Sequence, residues 1–168
     1  PSLTKAVIKG DEGKVKKVFK KLTVGKGKGR KKKGGKATDF NKPVVEWNDG
    51  VKAPLLADAA MSGHLGVLEL LLRIEGIKVN QGTKPGVGTT ALHAAAQHDQ
   101  VECVARLLAE PGIEANQARA TGSTPLFAAC QNGYVRSVKL LLAKAGVRVN
   151  QATYNNGCLL YTSPSPRD

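Results

Sequence analysis

The residues of this chain with the most obvious chemical potential lie at positions 25–36, which read GKGKGRKKKGGK. Glycine alternating with lysine is the material of phosphate-cradling loops, where backbone N–H groups and one lysine hold phosphate oxygens. The spacing fails that test. A phosphate loop needs a Gly five residues before the Gly of a Gly-Lys pair, and Arg30 holds that place relative to Gly35-Lys36. Ala37 follows where a Ser or Thr hydroxyl would meet magnesium. The dinucleotide pattern G-x-G-x-x-G fails too, because Gly25 and Gly27 lead to Arg30. What remains is seven like charges separated by glycine, with too little apolar area to offset the entropy of ordering them. Three roles fit such a run. It is a nuclear-import signal around Arg30, Lys31, Lys32 and Lys33, a contact with nucleic acid or another polyanion, or a solvated spacer. No aromatic residue interrupts it, which argues against base stacking.

Catalytic chemistry finds less support. His64, His93 and His98 are too scattered to form a ligand set, and the three cysteines include no C-x-x-C pair. No paired carboxylates and no nucleophile–base set stand out. The expectation is a protein that is not an enzyme and that uses no cofactor and no metal. The cysteine pattern also excludes a disulfide scaffold and suggests a reducing, intracellular setting, cytoplasmic or nuclear.

The elements that would position any site follow from composition and periodicity. The chain has 168 residues, of which 41% are apolar and only 4% aromatic, so its core must be thin and made of closely approaching Ala, Leu and Val. No apolar run approaches the length of a membrane span. Charge is concentrated: residues 1–42 hold 15 Lys/Arg against 3 Asp/Glu, whereas residues 43–168 hold 11 against 10.

Three segments repeat. Leu56, Leu92 and Leu126 recur at intervals of 36 and 34, and so do Leu71, Leu107, Leu141 and Asn80, Asn116, Asn150. The two extra residues fall between Gln81 and Gly88, in a loop. Within the last unit, Thr124-Pro125 is a helix start, with Thr as cap and Pro in the first turn. Leu126, Ala129 and Cys130 share one helical face, and Gly133 ends that helix. Val135, Val138, Leu141 and Leu142 line a second helix that Gly146 ends, and residues 147–151 read as an extended arm. Such a unit cannot bury its own apolar face and must stack on a neighbour. By the same register Cys103 aligns with Ser137 and is expected to be exposed, while Cys130 reads as a small buried hydrophobe.

The repeat resembles the ankyrin family at the residues that carry its pattern. Gly88-Thr89-Thr90-Ala91-Leu92-His93 and Gly122-Ser123-Thr124-Pro125-Leu126-Phe127 match a G-x-T-P-L-H opening, and Ala59-Ala60 with Gly63-His64 matches A-A-x-x-G-H. The resemblance covers about residues 54–157. Leu55 in place of Pro, Asp99 in place of Gly and Phe127 in place of His depart from it and are expected to weaken single turns. It implies an all-α solenoid of stacked helix–turn–helix units with extended, β-hairpin-like finger loops. It also implies a concave, partner-binding face. In that family the two residues after A-A are favoured contacts, here Met61 and Ser62, Gln97 and His98, Gln131 and Asn132. Finger-tip contacts would be Val87 and Thr89, then Thr121 and Ser123. His93 would tie adjacent turns through hydrogen bonds.

Leu3, Ala6, Val7 and Gly10, followed by Val15, Val18 and Phe19, repeat the same spacing in degenerate form. The expected organisation is a degenerate repeat at 1–21, a basic insertion at 22–43 within its finger, and further repeats at 44–157. Residues 158–168, CLLYTSPSPRD, resemble a translated sequencing adaptor and are expected to add nothing to the fold. With Pro1 rather than Met at the start, the chain reads as part of a longer one, interrupted inside a further repeat. The expected function is recognition of a protein partner by the concave face. Two other classes remain open: a nuclear or nucleic-acid-associated protein acting through the basic loop, and the regulatory part of a larger enzyme.

Overall fold

The computed structural model describes residues 2–23, 45–46, 52–83 and 88–151. Helices come in pairs: α1 (Ser2–Ile8) with α2 (Glu12–Thr23), α3 (Leu55–Met61) with α4 (Leu65–Leu72), α5 (Ala91–Gln97) with α6 (Val101–Leu108), and α7 (Pro125–Gln131) with α8 (Val135–Ala143). Between the first two pairs lie two short antiparallel strands, β1 (Val45–Glu46) and β2 (Lys52–Ala53), with Val45 opposite Ala53 and Glu46 opposite Lys52. They form the base of a finger. The architecture is the expected all-α solenoid: first helices stack in one layer, α1 on α3 on α5 on α7, and second helices in another, α2 on α4 on α6 on α8.

Each first helix begins and ends for local reasons. The Thr90 hydroxyl accepts the His93 N–H at 3.2 Å, and the Thr124 hydroxyl accepts the Phe127 N–H at 3.1 Å, with Pro125 in the first turn. α3 has Pro54 at this position and no side-chain cap. All four first helices end in one motif, in which an N–H reaches back five residues to a carbonyl. Asp11 bonds Ala6, His64 bonds Ala59, Gln100 bonds Ala95 and Tyr134 bonds Ala129, at 2.9–3.0 Å. The motif needs a left-handed residue one position earlier. Gly10, Gly63 and Gly133 supply it, and Asp99 takes the same conformation at φ 52°. The turn at Asp99 is therefore kept. Asp is among the few non-glycine residues that enter this region readily. Its carboxylate also accepts the hydroxyl of the buried Ser137 at 2.7 Å, a bond to the next repeat that glycine could not make.

The core is a continuous seam of small and aliphatic side chains. Ala59, Ala60, Ala95, Ala96 and Ala129 are buried where first helices approach, and Leu68, Leu71, Val104, Leu107 and Leu141 fill the space beneath the second helices. Ala6, Val7 and Val15 join the same cluster, so the N-terminal helix pair packs onto the stack and shares its core. Its second helix runs to Thr23, two residues past the expected boundary, and the side chains of Leu3 and Phe19 lie outside the described set.

Three further expectations need correction. Cys103 is buried, not exposed. A second helix in the stack has neighbours on two sides, α4 and α8 in this case, so its buried arc is wider than the single stripe periodicity suggests. Val67, Cys103 and Ser137 occupy equivalent positions and are all buried. Conversely, Val135 and Leu142 of the expected apolar face are exposed, at 62% and 51%. α8 is the last described helix of its layer, and nothing described covers that side. α8 itself ends at Ala143 rather than at Gly146, which serves the following turn at φ 81°.

Candidate protein-binding surface

Polar side chains tie the repeats together and thereby set the surface. Asn80 donates to the Gly112 carbonyl at 2.7 Å and accepts the Glu114 N–H at 2.9 Å; Asn116 repeats both bonds, to Gly146 and Arg148, at 2.7 Å each. These explain the V-N arms. A second ladder runs the other way: the His64 ring donates from Nε2 to the Ile8 carbonyl at 2.9 Å, and Gln100 donates to the Met61 carbonyl at 3.2 Å. Gly10 and Gly63 face those side chains so closely that an added Cβ would stand 2.7 Å from the His64 ring and collide with the Gln100 amide.

His93 is buried at 1% exposure, with Nε2 3.3 Å from the Ser123 hydroxyl of the next repeat. Burial first, then the nearby Arg119 charge, pushes its pKa down to about 3, so the ring is neutral at physiological pH. Burial, with the Glu102 charge, pushes the Cys103 thiol up to about 11, and burial raises that of Cys130. Neither is an activated nucleophile. Among the described residues no three His, Cys, Asp or Glu side chains gather where they could hold a metal ion.

This repetition of caps, turns and side-chain ladders is matched by the comparison with known families: the model for ankyrin repeats fits residues 56–153, in three copies. The chain belongs to the ankyrin repeat family. No curated protein matches it. The N-terminal helix pair stands before the matched range and carries the same turn motif. Among the described residues, no helix of this ankyrin chain is long and apolar enough to cross a membrane.

The candidate contact residues fall into three groups. His98, Gln131 and Asn132 are exposed at the ends of α5 and α7, while Met61, Ser62, Gln97 and Thr121 are half-buried. The Asn132 amide is partly engaged, donating to the Ala128 carbonyl at 2.9 Å. Thr89 is a correction. It is buried, with its N–H donated to the Thr83 hydroxyl at 3.2 Å, and so serves the finger base instead of its tip. Ser123 is half-buried and its hydroxyl faces His93, which gives it a part in the ladder. Val87 lies outside the described residues, as do Arg30, Lys31, Lys32 and Lys33.

The sequence reading missed Arg119. It sits in a finger turn closed by its own N–H to the Ser123 carbonyl and by the Gly122 N–H to its carbonyl, at 2.9 and 2.8 Å. Its guanidinium donates to the Gln97 side-chain oxygen at 3.4 Å, bringing a cation beside the end of α5. The stripe is therefore less neutral than its A-A neighbours imply. The signal in the sequence is one charged residue between two alanines near the finger turn, Ala118-Arg119-Ala120.

Proposed function

We propose that this chain is a protein-recognition module whose contact face is formed by the ends of the first helices and the adjoining fingers. The ankyrin family generally serves protein–protein interaction, and that general role extends to this chain. The finer reading assigns recognition to Met61, Ser62, Gln97, His98, Thr121, Gln131 and Asn132, with Arg119 added. It rests above all on one observation: α5 and α7 are buried along most of their length, yet they end in the polar side chains Gln97-His98 and Gln131-Asn132, which the stack leaves at its surface. A face with amide, imidazole and guanidinium donors suits a partner segment rich in carbonyl or carboxylate acceptors.

Arginine at Gln97, His98, Gln131 and Asn132 supplies the test. Four new charges on an intact stack should abolish partner capture while leaving the helical circular dichroism unchanged. Capture equal to that of the natural chain would move the contact face elsewhere.

A further inference from the structure

We propose that Arg119 is the specificity-determining residue of the contact face, and that it takes a side-chain carboxylate, Asp or Glu, from the middle of an extended partner segment. The inference rests on the protein-recognition reading above and names the chemistry of that same face. Arg119 is the only charged residue between Glu114 and Arg136. Its backbone is fixed by the finger turn, in which its N–H donates to the Ser123 carbonyl at 2.9 Å and its carbonyl accepts the Gly122 N–H at 2.8 Å. The side chain is half-buried and reaches the end of α5, where Nη1 donates to Gln97 Oε1 at 3.4 Å. That distance is at the long end for a bond from nitrogen, so most of the five guanidinium donors are left to a further acceptor.

Among the described residues no carboxylate neutralises this cation. The ion pairs of the neighbouring helices belong to Arg106, with Glu110 and Glu69, and the Asp99 carboxylate accepts the Ser137 hydroxyl. From residue 115 to residue 151 the chain has no Asp or Glu. Burial first, and then the Arg119 charge, lowers the His93 pKa, so the field of the cation reaches that ring without an acid to offset it. A half-buried guanidinium has given up part of its hydration and recovers the loss by binding an anion. The locked turn holds the charge in place beforehand, which lowers the ordering cost at binding.

The surroundings select the anion. The fork of one guanidinium matches the two oxygens of one carboxylate, whereas phosphate groups on peptides are held by clusters of arginine. The side chains that share this face, Gln97, His98, Gln131 and Asn132, include no lysine and no second arginine. Gln97 turns its amide oxygen to Arg119, which leaves its NH2 group as a neutral donor beside the cation. The finger that carries Arg119 joins the α5–α6 pair to the α7–α8 pair, with Gln97 and His98 on the first and Gln131 and Asn132 on the second. A segment that crosses both pairs passes Arg119 part-way along its length. The matching group is therefore an internal Asp or Glu side chain and not a chain terminus.

The test follows the arginine Nε–Hε resonances of the full chain by proton–nitrogen correlation NMR while blocked tripeptides are added. The probes are acetyl-Gly-Glu-Gly-amide, its glutamine and phosphoserine counterparts, and acetyl-Gly-Gly-Gly with a free terminal carboxylate. The exposed Arg136 is the reference within the same molecule. Arg119 should respond to the glutamate peptide with a midpoint about threefold lower than that of Arg136, the contribution of one net hydrogen bond. It should not respond to the glutamine peptide. Gln97→Ala should raise the Arg119 midpoint toward that of Arg136 and leave Arg136 unchanged. A response of Arg119 no stronger than that of Arg136 would overturn the proposal. So would a preference for Arg119 over Arg136 that is larger with the phosphoserine peptide or the free terminus than with glutamate. These readouts need no partner, so a silent Arg119 removes this inference alone, while the contact face stands or falls by capture with the four-arginine variant.

Discussion

His93 is the residue whose environment makes the sharpest prediction. Its folded pKa lies below the unfolded value of 6.5, at about 3, so the neutral ring belongs to the folded state. Its contribution is complete above pH 6.5 and is lost progressively as pH falls toward 3. Unfolding free energy should therefore fall with decreasing pH across that window, because the unfolded chain takes up a proton that the folded ring refuses. His93→Gln should be less stable at pH 7 yet show a flatter acid limb in urea titrations at stepped pH; parallel limbs would remove His93 from the account. Two of the three arm asparagines give a matched pair. Asn116→Ala strips two inter-repeat bonds and should cost about 1–3 kcal/mol. Asn150→Ala, at an exposed position, should cost less than about 0.5 kcal/mol. Equal costs would show that the arm asparagines act within their own repeat.

At the level of the element, the stack predicts unequal consequences for similar leucines. Leu107 lies fully buried under α5 and between α4 and α8, so Leu107→Ala should cost about 2–5 kcal/mol in denaturant unfolding. Leu142 has the register of Leu72 and Leu108 but is half exposed, and Leu142→Ser should fall within about 0.5 kcal/mol of neutral. This contrast also marks what was legible in the sequence. Helix starts at Thr90 and Thr124, turns at Gly63 and Gly133 and the buried Leu71, Leu107 and Leu141 are local or periodic signals, and all were readable. Cys103 was misplaced because burial in a solenoid depends on neighbours one repeat away on both sides. Asp99 looked like a weakened turn because its compensation, the Ser137 hydroxyl, lies 38 residues on. Arg119 was missed because only the folded finger carries it back to Gln97, 22 residues earlier. The site was less legible than the fold: the resemblance supplies positions, while Thr89 and Ser123 were claimed by the finger and the ladder.

For the whole molecule, solenoid stability is a sum of repeat terms and nearest-neighbour interfaces. The helix pairs α3–α4 and α5–α6 have neighbours on both sides, whereas α1–α2 and α7–α8 have a described neighbour on one side only. Amide exchange should therefore be slowest in α5 and α6 and quicken toward α1 and α8; uniform protection would imply an added contact at one end. The division of labour between layers is the central claim, with protein recognition at the first-helix ends and the fingers and the second-helix layer left to other uses. The most direct measurement replaces His98 or, separately, Lys139 on the exposed side of α8 with a photo-crosslinking amino acid and irradiates the full chain in cell lysate. The account predicts discrete protein adducts from position 98, abolished when Gln131 and Asn132 are also changed to arginine, and none from position 139. Adducts from position 139 with position 98 silent would contradict it.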